Sequence, residues 1–373
     1  MMLFLTQKSE STSTELGNPF IQASGKLLNH HHLVKRYFQI LCLSILSAPN
    51  LAQSVGEENN LFSNSKDTLY IAGFNRLNDF RLHYGSIGSS LRYGSNNQTG
   101  TNNTFTYFNN VNDILGIGLT YKIIDFDIAY SLPDTKLQVD GLQNLKQFRL
   151  SGTYYGRRLT IGGYWTDSQG LIISDAGEAF QSSPDVHVIR LGVRITYNFN
   201  YARYSFKGAH FQNELQKKSS GGFLARIEPY YRKIGIGVTL VPASLDQPAT
   251  YGEQTGLRYV SSPGISFFPG YGYTLAIKKG KFFVSPIVLL GGGVAVSAYK
   301  GNVEEHVIVN TEWAGIAEIN AGYNGNRIYI AFRSYYEVRH FNLNPTYFTS
   351  SDIKAGITAG YRFGDLEKSI PRF

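Results

Sequence analysis

Two stretches near the end of the chain, residues 327–341 and 352–363, alternate apolar and polar side chains one by one. In the first, Ile328, Ile330, Phe332, Tyr336 and Val338 share a face, and Tyr329, Arg333, Tyr335, Glu337 and Arg339 share the other. The second sets Ile353, Ile357, Tyr361 and Phe363 against Lys354, Thr358 and Arg362. A period of two means extended strand, because successive side chains point to opposite faces. Such strands build either a soluble sheet with one wet face or a closed membrane barrel, apolar toward lipid and polar toward its lumen. Both stretches exceed the roughly 9 to 11 residues that a tilted strand needs to cross a bilayer.

Composition favours the barrel. The chain has 26 Tyr, 24 Phe and 39 Gly against 2 Trp, the aromatic and glycine usage of barrels with girdles and tight curvature. No run of about 18 apolar residues is present, so no membrane-spanning helix is expected. The one long apolar run, residues 37–46, follows Lys35 and Arg36 and precedes small residues at Ser47, Ala48 and Ala52. That order predicts a secretory signal peptide over residues 34–53, cleaved near Ala52 or Gln53. A signal peptide belongs at the start of a chain, so residues 1–33 are expected to be a mis-annotated leader, with the true start at Leu33 or Val34. His30, His31 and His32 in that leader have no second ligand cluster, and no metal or other cofactor is expected. Cleavage removes Cys42, the sole cysteine, and with it any disulfide or thiol chemistry. It also removes four basic and two acidic residues, lowering the charge excess from +8 to +6. That excess is spread along strands and turns, without the clustered basic run of a nucleic-acid binder.

The remaining organisation reads as a polar periplasmic lead-in (54–67), a barrel (68–364) and a periplasmic tail (365–373). Residues 69–74 fit a short strand, a plug-like segment or the first arm of the barrel. Strand patterns then recur at 80–93, 114–122, 126–132, 148–155, 158–165, 186–199, 201–212, 223–231, 233–241, 265–277, 282–298 and 307–323, followed by the final pair. The fold class is therefore all-β: a transmembrane antiparallel up-and-down barrel of about 14 strands, give or take two. Short connections at 122–125, 156–158, 198–201, 231–233, 278–281 and 323–327 alternate with longer ones, as barrels alternate periplasmic turns with outer loops.

The polar faces of the later strands carry Arg190, Arg194, Glu312, Glu318, Arg333, Glu337, Arg339, Lys354 and Arg362. An Arg or Lys facing lipid at midplane costs roughly 2 to 4 kcal/mol, so these nine are candidate lumen residues. They either pair across neighbouring strands and fill the barrel, or line a water-filled path for small or anionic solutes. Asp125 and Asp127 share a face for the same reason, rather than as paired catalytic carboxylates. His83, His187, His210, His306 and His340 are scattered, and no Gly-x-Ser-x-Gly elbow occurs, so no catalytic residues are assigned. The Gly291–Gly293 run lacks a following Lys-Ser/Thr and reads as a bend.

The segments LRYGSNN (91–97), LGIGLTYKIIDFDIAYSLP (115–133), FRLSGTYYGRRLTIGGYW (from Phe148), ITYNFNYARYSF (from Ile195), QNELQKKSSGGFL (212–224) and FFPGYGY (267–273) resemble a Gram-negative envelope barrel family. That family is catalogued only as a domain of unknown function. The resemblance covers residues 68–364, with the Gln-Lys-Lys segment its most specific part, expected at a strand top. It implies an outer-membrane barrel and brings no activity or catalytic residues. The leader and the tail depart from the pattern. Barrel assembly usually reads an aromatic-ended last strand, so Phe363 or Phe373 is the expected signal to the assembly machinery.

Three functions fit. The first is a channel or uptake component for small solutes, with the lumen charges setting selectivity. The second is a sealed barrel whose loops 94–113, 167–185 and 242–263 bind a protein, glycan or lipid. The third and weakest is a lipid-modifying rim enzyme. The expected surroundings are outer-membrane lipid and the assembly machinery, with no nucleic acid.

Overall fold

A computed structural model describes residues 66–74, 78–96, 104–109, 112–122, 124–132, 146–174, 181–235, 239–240, 248–301 and 305–364. All of these belong to the second of two units, Gly56–Phe373. The predicted leader, signal peptide and tail, and the lead-in up to residue 65, lie outside the described residues.

Twelve strands close into an antiparallel barrel. In order around the wall they are β2 (Asn78–Ser95), β4 (Asn112–Tyr121), β5 (Ile124–Ser131), β6 (Lys146–Tyr155), β7 (Leu159–Ser174), β8 (Gln181–Asn198), β10 (Ser220–Gly235), β11 (Tyr259–Ile277), β12 (Phe282–Lys300), β13 (Glu305–Asn324), β14 (Ile328–Asn342) and β15 (Thr346–Phe363). The ring closes where β15 pairs with β2 along its full length, from Thr346 opposite Ser95 to Phe363 opposite Asn78. Closure leaves no free sheet edge, as a spanning structure requires. Prolines lack the N–H a ladder needs, and the pairing is interrupted, without change of register, beside Pro229, Pro263 and Pro269.

The alternation decides which side faces what. Outward stand Ile328, Ile330, Phe332 and Tyr336 on β14, with Leu115, Ile117, Leu119 and Tyr121 on β4. Outward aromatics ring both ends: Phe282 meets Tyr323 at 5.4 Å near the tight turns, and Phe148 meets Tyr130 and Trp165 at 5.2 and 5.5 Å toward the loops. A closed sheet with this apolar exterior is a membrane-spanning barrel.

The extra strand β3 (Thr104–Phe108) pairs with the top of β2 and with the top of β7. It thereby bypasses β4, β5 and β6, which hold only 10, 8 and 10 residues. The loop end is thus walled by fewer strands than the turn end.

Three sequence expectations change. Residues 201–212 are not a strand; they turn into the helix α1 (Phe206–Phe211), capped by the Ser205 hydroxyl, which accepts from the Gly208 N–H. Residues 231–233 are not a turn but the middle of β10. Losing one strand and joining two others reduces fourteen to twelve. The Gln-Lys-Lys segment, expected at a strand top, instead folds into the turn end as β9 (Glu214–Gln216), paired with β1 (Ile71–Gly73). Residues 71–73 are therefore part of a plug rather than the first arm.

Candidate functional site: a charged chamber between two closures

The turn end is closed by the β8–β10 connection. Tyr204, Phe206 and Ala209 pack on the inner wall against Leu224, Phe268, Ile287 and Leu289. Polar anchors hold this plug: Glu214 accepts from Arg157 and from the Ser205 hydroxyl at 2.6 Å, and lies 3.2 Å from Lys207. Gln212 adopts a left-handed backbone, φ 58°, and its side-chain oxygen accepts from Arg333 at 2.6 Å. Arg362 donates to the Gln212 carbonyl at 2.5 Å and to Asn324 at 2.6 Å.

The loop end is closed by a buried apolar cluster. Tyr93, Phe105, Tyr107, Phe341 and Phe348 turn inward from the wall and from β3, and receive Tyr251 and Leu257 from the connection after β10. Tyr251, in the one-turn helix α2 (Pro248–Tyr251), stacks on Tyr93 at 5.5 Å. Gln254 ties the same segment down by donating to the Leu343 carbonyl at 3.0 Å.

Between the closures lies a cavity of about 310 Å³. Seven of the nine candidate residues line it: Arg190, Arg194, Glu318, Arg333, Glu337, Arg339 and Lys354. Glu312 sits behind them, 3.2 Å from Arg339 and 3.5 Å from Arg232, and Arg362 lies at the plug.

The pairs do not follow neighbouring strands only; many reach across the lumen. Arg190 on β8 binds Asp352 on β15 through two bonds, one of 2.8 Å. Arg194 lies 3.5 Å from both Glu228 and Glu337, with its guanidinium over the Tyr164 ring at 4.4 Å. Arg339 contacts Glu228 at 2.9 Å as well as Glu337. Glu318 lies 2.6 Å from His210 of the plug helix, and Arg226 stands 3.9 Å away. A separate set surrounds Arg81: Asp125, Asp79 at 3.3 Å and Asp127 at 3.6 Å, with His83 3.4 Å from Asp127.

Inward glycines make room for these long side chains. A Cβ on Gly118 would stand 2.3 Å from Arg81 Nε, and one on Gly116 would stand 1.7 Å from His83 Nε2.

Sequence reasoning left Arg81, Arg149, Arg226, Glu228, Arg232 and Asp352 off the candidate set. Their signal was available, since each is a charge on the polar face of an alternating stretch. Outside the chamber, His187 lies 2.5 Å from Asp167.

The family profile for "Domain of unknown function (DUF4421)" matches residues 65–363. The chain belongs to this family. Solved outer-membrane barrels resemble this chain at low identity. The outer membrane protease OmpT from Escherichia coli is 8% identical, with a TM-score of 0.37, covering 79% of this chain and 100% of its own. The toluene transporter TodX of Pseudomonas putida is 10% identical, with a TM-score of 0.28, covering 84% and 96%. Ail, the attachment invasion locus protein of Yersinia pestis, is 9% identical, with a TM-score of 0.22, covering 75% and 97%. No curated protein matches the chain.

Proposed function

We propose that this DUF4421 protein is a gated uptake component of the outer membrane, which admits small solutes to its internal chamber. The observation that carries this reading is the placement of the two closures. Neither the plug around α1 nor the segment around Tyr251 belongs to the twelve-strand wall, so either can withdraw without breaking the barrel. A barrel needed only as an anchor gains nothing from a polar cavity of about 310 Å³, since unfilled interior volume forfeits packing energy. In this reading residues 34–53 direct export and are removed, the tight turns face the periplasm, and the assembly machinery reads Phe363 at the end of β15. The nine lumen residues set which solutes pass.

The test is single-channel conductance of the protein purified from outer membranes, alone and with residues 248–257 replaced by a flexible linker. The intact protein is expected to open rarely and the linker variant steadily. A linker variant that keeps its heat-dependent gel shift yet stays silent would overturn uptake. It would favour the second reading, a sealed barrel that works through its outer loops, which the closure at both ends supports.

A further inference from the structure

The chamber's charges do not pair one to one where they stand. Arg81 stands among three carboxylates, of which Asp127 is also the diagonal neighbour of Arg149 across β5 and β6. The other eight cations lining the cavity are Arg149, Arg190, Arg194, Arg226, Arg232, Arg333, Arg339 and Lys354. Five acids serve them: Glu228, Glu312, Glu318, Glu337 and Asp352. Three of these cations have no acid at ion-pair distance among the described residues, namely Arg149, Arg333 and Lys354. Asp352, two residues before Lys354 on β15, is already held by both arms of Arg190.

The three are neighbours. Arg333 stands opposite Gly356 on β15, which makes Lys354 its diagonal partner, a separation of about 7–8 Å between backbone positions. Arg149, on β6, lines the same cavity as these two. Lys354 rests its ammonium over the Tyr335 ring at 4.6 Å, and Arg333 spends one nitrogen on Gln212 while its Nε–H has no partner. Like charges gathered away from bulk water repel and lose hydration, and such groups are normally paired.

We infer that Arg149, Arg333 and Lys354 form a binding site for a compact oxyanion carrying at least two negative charges, a phosphate or a small dicarboxylate. Guanidinium forks match the planar edges of carboxylate and phosphate oxygens, and the ammonium adds a third, movable donor. The cavity stands at the small end of ligand pockets, which excludes an acyl chain and suits a solute of a few heavy atoms. The site takes its biological sense from the uptake reading, while its occupancy is measured independently of transport.

The experiment follows the unfolding midpoint by heat-dependent gel mobility. The barrel is refolded in detergent with phosphate, succinate or chloride at matched ionic strength, so that ligand equilibrates before closure. A ligand that binds only the folded state raises the midpoint with its concentration. Phosphate, succinate or both are expected to raise it and chloride is not, the two arms telling phosphoryl from carboxylate chemistry. The combined Arg149→Gln, Arg333→Gln and Lys354→Gln variant is expected to weaken the apparent affinity at least about tenfold, while Lys281→Gln in the tight turn between β11 and β12 leaves it unchanged. Should the triple variant not fold, Lys354→Met alone supplies the comparison. An equal response in the variants, or none in the wild type, overturns the site. A site that binds in a barrel that never conducts would remove uptake and leave the site standing.

Discussion

Arg190 and Asp352 meet across the full width of the barrel. Their strands, β8 and β15, stand six places apart in a ring of twelve, so the two-bonded pair ties opposite walls together. Breaking a buried pair from one side leaves the other charge uncompensated, at a cost of roughly 3–5 kcal/mol. Asp352→Asn is therefore expected to lower the urea midpoint markedly, read by gel mobility, and the swapped pair Arg190→Asp with Asp352→Arg to recover part of the loss. A swap no better than the single change would assign the loss to something other than the pair.

Gly118 gives a second test, because its missing side chain is what lets Arg81 lie against the wall. Gly118→Ala places a Cβ 2.3 Å from Arg81 Nε and must push the guanidinium off Asp125. Overpacking costs typically 1–3 kcal/mol, and displacing a buried charge adds to it. Unfolding in urea should show the loss. Combining it with Arg81→Ala should cost less than the two changes summed, since both act on one contact.

Phe332 and Arg333 are adjacent in sequence and face opposite media. Phe332→Arg sets a guanidinium against lipid and is expected to cost about 2–4 kcal/mol near midplane, judged by refolding yield and stability in bilayers. Arg333→Phe removes no lipid contact, and its effect should fall on the plug bond to Gln212 instead.

The plug carries a pH dependence through Lys207. Burial pushes its ammonium below the ordinary 10.5, against the pull of Glu214. Between that lowered value and 10.5 the unfolded chain holds a proton the folded one has released, so stability from this group rises with pH across that window. Below the window the buried charge is a constant penalty. Lys207→Met should flatten the alkaline rise in a stability-against-pH series; a rise of equal slope in the variant would clear Lys207 of the effect.

Which parts of this were legible in the sequence follows from what each part depends on. The facing of Ile328 to Arg339 needed only a period of two, and β14 keeps it without a slip. Residues 201–212 misled because Tyr201, Arg203 and Ser205 alternate like a strand, while the decisive signal was local: Ser205 capping the Gly208 N–H. Arg232 and Lys233 looked like a turn because two adjacent charges suit water. In a closed barrel one points to the lumen and the other stays exposed on the outside. The Arg190–Asp352 pair could not be read at all, because which strands stand opposite depends on the total count, and a barrel of fourteen would have faced β8 elsewhere.

The bypass by β3 has a consequence for the membrane itself. On β4 the lipid-facing series runs only from Leu115 to Tyr121, about 20 Å along the strand, and ends at Asp113, which pairs with the Tyr84 hydroxyl at 2.5 Å. On β13 it runs from Val307 to Tyr323, about 54 Å. Tilted by about 40°, the short side offers roughly 15 Å of apolar height to a band that is normally near 25 Å. The two tryptophans mark the two flanks, Trp165 on β7 near the short side and Trp313 on the long one, so depth-dependent quenching of each reports the lipid thickness beside it. Lipid next to β4–β6 must shorten or the barrel must lean, and where the lipid shortens the bilayer around this protein becomes a wedge, thinnest on the flank that β3 bridges.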